Sequence, residues 1–206
     1  MNFKNANIKN FIFDFGNVLY EANHKRMISG LASISQNKII ETLTPLELMH
    51  DSDYDKFERG EITRTEFLSN IKRKFGISAS DEEIIKVWNS CLVGAYDYSL
   101  NAIKEFKKLG KLALLSNTDE IHCEYFSRQC ADLFNLFDYL YFSHIIHKRK
   151  PDLDIYEYAV KHSNFLAEET LFIDDLEANI EAAKKVGMRT YHIQKGNTIL
   201  DLLKLF

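Results

Sequence analysis

Phe11-Ile12-Phe13-Asp14-Phe15-Gly16-Asn17-Val18-Leu19 runs an apolar strand into a carboxylate and then into a tight, glycine-containing turn. The same punctuation returns three times further along. Lys111-Leu112-Ala113-Leu114-Leu115 closes on Ser116, Thr170-Leu171-Phe172-Ile173 closes on Asp174-Asp175, and Tyr139-Leu140-Tyr141-Phe142 is followed by Lys150-Pro151-Asp152. In an open α/β sheet the carboxyl ends of parallel strands line one crevice. An acid, a hydroxyl, a lysine and an acid pair would converge there, a set that suits a phosphoryl group and a divalent cation.

Working outward, helix and strand patterns alternate from about Ser99 onward. Residues 99–109 read as a helix with Ser99 as N-cap and Gly110 just past its end. Further helices are expected near 120–130, 153–162 and 176–186, the last stopped by Gly187, with a final strand near 189–193. With the first strand at 11–14, this predicts an α/β fold: a doubly wound parallel sheet, a Rossmann-like core covered on both faces. The stretch from 20 to 96 behaves differently. Thr63…Glu66 and Ser80…Glu83 are capping boxes, and Phe67, Leu68, Ile71, Phe75 and then Ile84, Ile85, Val87, Trp88 fit helical faces. These signals predict an inserted all-helical cap of about four helices. The expected division is a core formed by 1–19 and 97–206 and a cap formed by 20–96.

Composition narrows the function class. A chain of 206 residues that is 46% hydrophobic can bury one substantial core and a second small one. The net charge of -4 leaves no basic field, so a small-molecule substrate is expected and nucleic acid is not. Cys91, Cys123 and Cys130 lack CxxC spacing, which argues against a disulfide framework or zinc site. No apolar run approaches the ~20 residues that span a bilayer, and no signal-peptide pattern is seen. A cytoplasmic monomer or homodimer without a membrane partner is the expectation.

Taken singly, each polar group has an ordinary structural use: Asp14, Ser116, Asp174 and Asp175 could cap helices or turns, and Lys150 could be a solvated lysine. The ordered set carries more weight. Asp14-Phe15-Gly16 also matches a protein-kinase triplet, but only thirteen residues precede it, too few for the rest of a kinase.

The set, with Asn117-Thr118 after Ser116 and Asn179, Ala182-Ala183 and Gly187 after Asp175, resembles the four motifs of the haloacid dehalogenase-like hydrolase superfamily. The match covers nearly all of the chain outside 20–96. It is most similar to the branch with an inserted helical cap, including sugar-1-phosphate phosphatases and the amino-terminal phosphatase domain of soluble epoxide hydrolases. The resemblance implies that Asp14 is the phosphorylated nucleophile and that Ser116 and Lys150 hold phosphoryl oxygens. Phe15, Gly16 and Asn117 complete the implied phosphate-binding set. Asp14, Asp174, Asp175 and the Gly16 carbonyl would hold Mg2+. One position departs from the pattern: phosphatases of this superfamily usually carry an aspartate two residues after the nucleophile as general acid, and here that position is Gly16. Glu21 and His24 are the nearest downstream substitutes. True haloacid dehalogenases share this absence and need no metal, but their last motif lacks the paired acids. The expected function is therefore a Mg2+-dependent phosphatase of a small phosphorylated metabolite, with sugar 1-phosphates favoured. The alternatives are a metal-free dehalogenase-type hydrolase and a phosphate-ligand binding protein without turnover.

Overall fold

The computed structural model describes Phe3 and residues 6–206. Among them lie seven strands: β1 (Asn10–Phe13), β2 (Tyr20–Ala22), β3 (Leu92–Ala95), β4 (Lys111–Ser116), β5 (Tyr139–Phe142), β6 (Thr170–Asp174) and β7 (Arg189–His192). Five of them form a parallel sheet in the order β5-β4-β1-β6-β7, with β1 at its centre.

Phe11, Ile12 and Phe13 of β1 are fully buried because both faces of the sheet are covered. Phe11 and Phe13 point to one face, in register with Leu112 and Leu114 on β4 and Leu171 and Ile173 on β6. They pack under Ile103 and Phe106 of the helix Ser99–Leu109. Ile12, Ala113, Leu115 and Phe172 point to the other face, under Ile155 and Ala159 of the helix Leu153–Ser163 and Ile180 and Ala183 of the helix Glu177–Lys185. This two-sided burial is the physical content of the doubly wound class. Gly110 is required where helix turns into β4, since a Cβ there would collide with the Lys9 carbonyl oxygen.

One capping expectation is corrected. Ser99 is the first residue of its helix, not the cap, and its hydroxyl donates to the Leu19 carbonyl at 2.7 Å, tying the helix to the turn after β1. The helix Glu120–Gln129 is capped by Asp119, whose carboxylate accepts from the His122 amide; Ser116 stays in β4.

Between β2 and β3 lie five α-helices: His24–Ile34, Pro45–Met49, Ser52–Glu58, Arg64–Phe75 and Asp81–Trp88. Both capping boxes form. The count exceeds the expected four because the second and third helices, five and seven residues long, are too short to show a period. This layer has its own core of Met27, Leu31, Phe57, Phe67, Phe75 and Trp88, with the Phe57 and Phe67 rings stacked at 4.2 Å. At its base β2 and β3 pair antiparallel, with a register shift between Glu21 and Ala22. Strands of three and four residues leave no readable alternation, so the helical reading of 20–96 did not contain this ribbon.

Candidate active site

β1 ends one residue before Asp14, β4 ends on Ser116 and β6 ends on Asp174. The parallel register therefore sets these groups side by side at one edge of the sheet. Lys150 arrives from the loop beyond β5 and is only 2% exposed. Its Nζ donates to Asp14 Oδ1 at 2.6 Å and to Asp174 Oδ2 at 2.8 Å. The loop is pinned by Asn117, whose Oδ1 accepts from the Lys150 amide and whose Nδ2 donates to the Lys150 carbonyl, both at 2.9 Å. The Asn117 side chain is thus engaged in holding Lys150.

Asp174 is saturated. Asn179 Nδ2 donates to both of its oxygens at 3.0 Å, and the Leu176 amide donates to Oδ1 at 2.8 Å. Asp175 is half-buried and lines the cavity. Carboxylate oxygens of Asp14, Asp174 and Asp175 lie within 4.8 Å of one another. Burial, countered in part by Lys150 and reinforced by the charges of Asp174 and Asp175, pushes Asp14 up to about 8. Burial and the charge of Asp174 push Asp175 up to about 6. Lys150 is held the other way: burial works against its charge, but Asp14 and Asp174 outweigh it and raise its pKa. Three hard-oxygen acids facing one lysine leave room for a further positive charge. The donor chemistry fits Mg2+, which takes one or two protein carboxylates together with carbonyl, phosphate and water oxygens.

The turn after Asp14 offers donors. The Phe15 carbonyl accepts from the Leu19 and Tyr20 amides, and Asn17, at φ 54°, donates to the Tyr20 carbonyl. The amides of Phe15, Gly16 and Asn117 have no partner among the described residues, and all three residues line the same cavity. The Phe15 side chain is elsewhere, packed against Tyr20, Phe126 and Phe134. Gly16 has nothing within 4 Å of where a Cβ would stand, so the position is open toward the site.

The cavity has a volume of about 240 Å3 and lies between the sheet edge and the helical layer. Asp14, Gly16, Ser116, Lys150 and Asp175 line one side; Met49, Tyr54, Glu58 and Cys91 come from the layer. His24 also lines it, and burial with the nearby charge of His122 lowers its pKa to about 4, so its imidazole is neutral at physiological pH. Glu21, the other candidate substitute for the missing acid, is exposed on β2.

Three features of this wall were not read from the sequence. Glu58 is buried and paired with Arg149, Nε to Oε2, at 2.5 Å. Asp119 is buried and accepts from Trp88 Nε1 at 3.0 Å while pairing with His122 Nδ1 at 3.0 Å. His122 Nε2 in turn sits 3.1 Å from the Trp88 carbonyl and 3.4 Å from Cys91 Sγ. The Asp119–Trp88, His122–Cys91 and Glu58–Arg149 contacts join residues 31 to 91 positions apart, a separation that no local pattern reports, whereas Asp119 and His122 are three residues apart on one helix start.

Known proteins resemble this chain over most of its length. The family model for haloacid dehalogenase-like hydrolases matches residues 8–187. A D-ribitol-5-phosphate phosphatase from Bacteroides thetaiotaomicron is 27% identical over 92% of this chain and 93% of its own length. A sesquiterpene phosphatase from Aspergillus oryzae is 26% identical over 88% of each. The crystal structure of a HAD family enzyme from Bacteroides thetaiotaomicron, in complex with magnesium and inorganic phosphate, superposes with a TM-score of 0.84. It is 30% identical, covering 95% of this chain and 98% of that one.

Proposed function

Because the chain belongs to the haloacid dehalogenase-like hydrolases, we propose that it is a Mg2+-dependent phosphatase of a small hydroxylated metabolite, a sugar or polyol phosphate, working through a phospho-aspartate at Asp14. The observation that carries this reading is the placement of the Asp14 carboxylate against Lys150 on a cavity wall that also presents Ser116 and three unengaged amides. A phosphoryl group seated there would meet the Phe15, Gly16 and Asn117 amides, the Ser116 hydroxyl and the Lys150 ammonium, donors suited to charge on its equatorial oxygens. Asp14 attacks phosphorus in line, the ester oxygen leaves, and water then hydrolyses the acyl phosphate to regenerate the carboxylate.

Asp14, Asp175 and the Gly16 carbonyl would hold the ion. Asp174, with both oxygens engaged, braces Lys150 behind them. When bound, Mg2+ offsets phosphoryl charge and keeps Asp14 ionised. The helices between β2 and β3 act as the cap, closing the site from water and shaping the room for the organic group. Its test is a screen of phosphate esters with and without Mg2+. Halide release from haloacids that ignores chelator would overturn the reading.

Two expected results follow from these residues. Mg2+ at a hundredfold excess over its Kd should stabilise the protein by about 2.7 kcal/mol, a rise in Tm of roughly 5–11 °C for a chain of this size. Asp175→Ala should remove that rise. A calorimetric titration in which Asp175→Ala binds Mg2+ as tightly as wild type would remove Asp175 from the ligand set.

The second concerns Gly16. With no aspartate there, Glu21 pointing to solvent and His24 neutral, expulsion of a basic alkoxide should be slow and that of an anomeric or phenolic oxygen faster. Sugar 1-phosphates and aryl phosphates should outrank sugar 6-phosphates, with kcat/KM falling steeply as leaving-group pKa rises. Gly16→Asp places a carboxyl in open space and should flatten the slope, raising alkyl phosphates by about 10–100-fold. A shallow slope in wild type, unmoved by Gly16→Asp, would show that another group already supplies the proton.

A further inference from the structure

The helix Ser52–Glu58 sets Tyr54 and Glu58 four residues apart, on one face, and both line the cavity. Glu58 gives one oxygen, Oε2, to Arg149. Arg149 is itself held by Asp55 at 3.5 Å and by the Met49 carbonyl at 3.2 Å. The second Glu58 oxygen and the Tyr54 hydroxyl have no hydrogen-bond partner among the described residues, although both residues are only 3% exposed. Side-chain atoms walled in without a partner are, among the described residues, confined to Arg64 Nε, Asn89 Oδ1 and Tyr156 Oη. The free Glu58 oxygen and the Tyr54 hydroxyl therefore open on the cavity, where a ligand can satisfy them.

We propose that Tyr54 and Glu58 are the specificity-determining pair that receives hydroxyl groups on the organic part of the substrate, with Arg149 as the residue that positions Glu58. This rests on the phosphatase reading above. A carboxylate accepts only and a phenol both donates and accepts, so the pair is matched to hydroxyls of a carbohydrate chain. A free carboxylate on the wall also repels a second anionic group at the far end of the substrate. It equally disfavours a hydrocarbon chain, which would desolvate it without pairing it. A neutral polyol or sugar phosphate should thus outrank a bisphosphate, a phosphorylated acid and a prenyl phosphate. Arg149 precedes Lys150 directly, so one loop fixes both the phosphate end and the hydroxyl end of the substrate.

The test measures kcat/KM for wild type, Tyr54→Phe and Glu58→Gln on a pentitol 5-phosphate, on analogues lacking one hydroxyl each, and on para-nitrophenyl phosphate. The polyol-to-aryl ratio should fall about 10–100-fold in Glu58→Gln and about 3–10-fold in Tyr54→Phe, the ranges expected for charged and neutral hydrogen bonds. The analogue lacking the contacted hydroxyl should lose a similar factor on wild type and little more on the variant. Glu58→Gln unpairs buried Arg149 and can fail to fold; Tyr54→Phe removes one atom and decides the matter alone. Unchanged ratios, or analogue losses that add in full to the variants' losses, overturn the pair's role. No hydrolysis of any ester by wild type with Mg2+ overturns the phosphatase reading itself, a different result.

Discussion

Asp14→Asn should abolish turnover, by about 10^4-fold or more, because the variant cannot form the covalent intermediate on which both half-reactions depend. The loss should come without unfolding. An asparagine keeps an acceptor oxygen for Lys150 Nζ, now 2.6 Å from Oδ1, and removes one of three crowded carboxylates. The metal-free wild type holds the Asp14 proton up to about 8, whereas the unfolded chain releases it near ~4. Between those values the folded state binds more protons, so stability falls as pH rises through the window. The variant lacks that contribution, leaving the smaller one from Asp175, so its Tm in chelator should decline less from pH 5 to pH 8. Differential scanning calorimetry at both pH values, with burst kinetics on an aryl phosphate, checks the prediction. A variant that turns over at more than a hundredth of the wild-type rate would falsify the nucleophile assignment.

The second large effect is on stability. Asp119 caps the helix Glu120–Gln129 through the His122 amide, accepts from Trp88 of the helical layer and pairs with the His122 imidazolium, all without exposure. Burial opposes charge on both partners, yet each charge favours the other: His122 is raised well above its ordinary value and Asp119 is lowered. Removing one partner of such a buried pair costs about 3–5 kcal/mol. Asp119→Ala should then lower Tm by roughly 6–20 °C. The pH dependence gives the sign. In wild type the His122 contribution is fully present below its unfolded pKa and is lost only as pH rises through the raised folded value. The Asp119 contribution is present above its unfolded pKa and is lost as pH falls through the depressed one. Without Asp119, buried His122 must fold neutral, so the variant loses stability as pH falls below about 6.5. Its deficit against wild type should be larger at pH 5.5 than at pH 8.5. A deficit equal at both would mean that the pair is neutral in the native protein.

The boundary between what residues announce and what packing decides runs through this site. Asp14, Ser116 and Asp174 were legible because each closes an apolar run, and parallel pairing necessarily brings the carboxyl ends of neighbouring strands to one edge. The buried runs of β1, β4 and β6 specified the doubly wound class for the same reason: strands covered on both faces need no polar alternation. The capping boxes at Thr63 and Ser80 were legible because their chemistry closes within four residues. Packing decided the rest. That Lys150 bridges Asp14 and Asp174 and that Asn117 clamps the Lys150 backbone are outcomes of loops meeting across 24 to 136 residues. The Arg149–Glu58 and Asp119–Trp88 contacts join the core to the helical layer, and no propensity or period encodes a partner that far away. The sequence by itself determined the chemistry at the strand ends, because local pattern and sheet geometry suffice for it. Only the tertiary structure decided the wall that faces that chemistry, because its groups are placed by the packing of one layer against another.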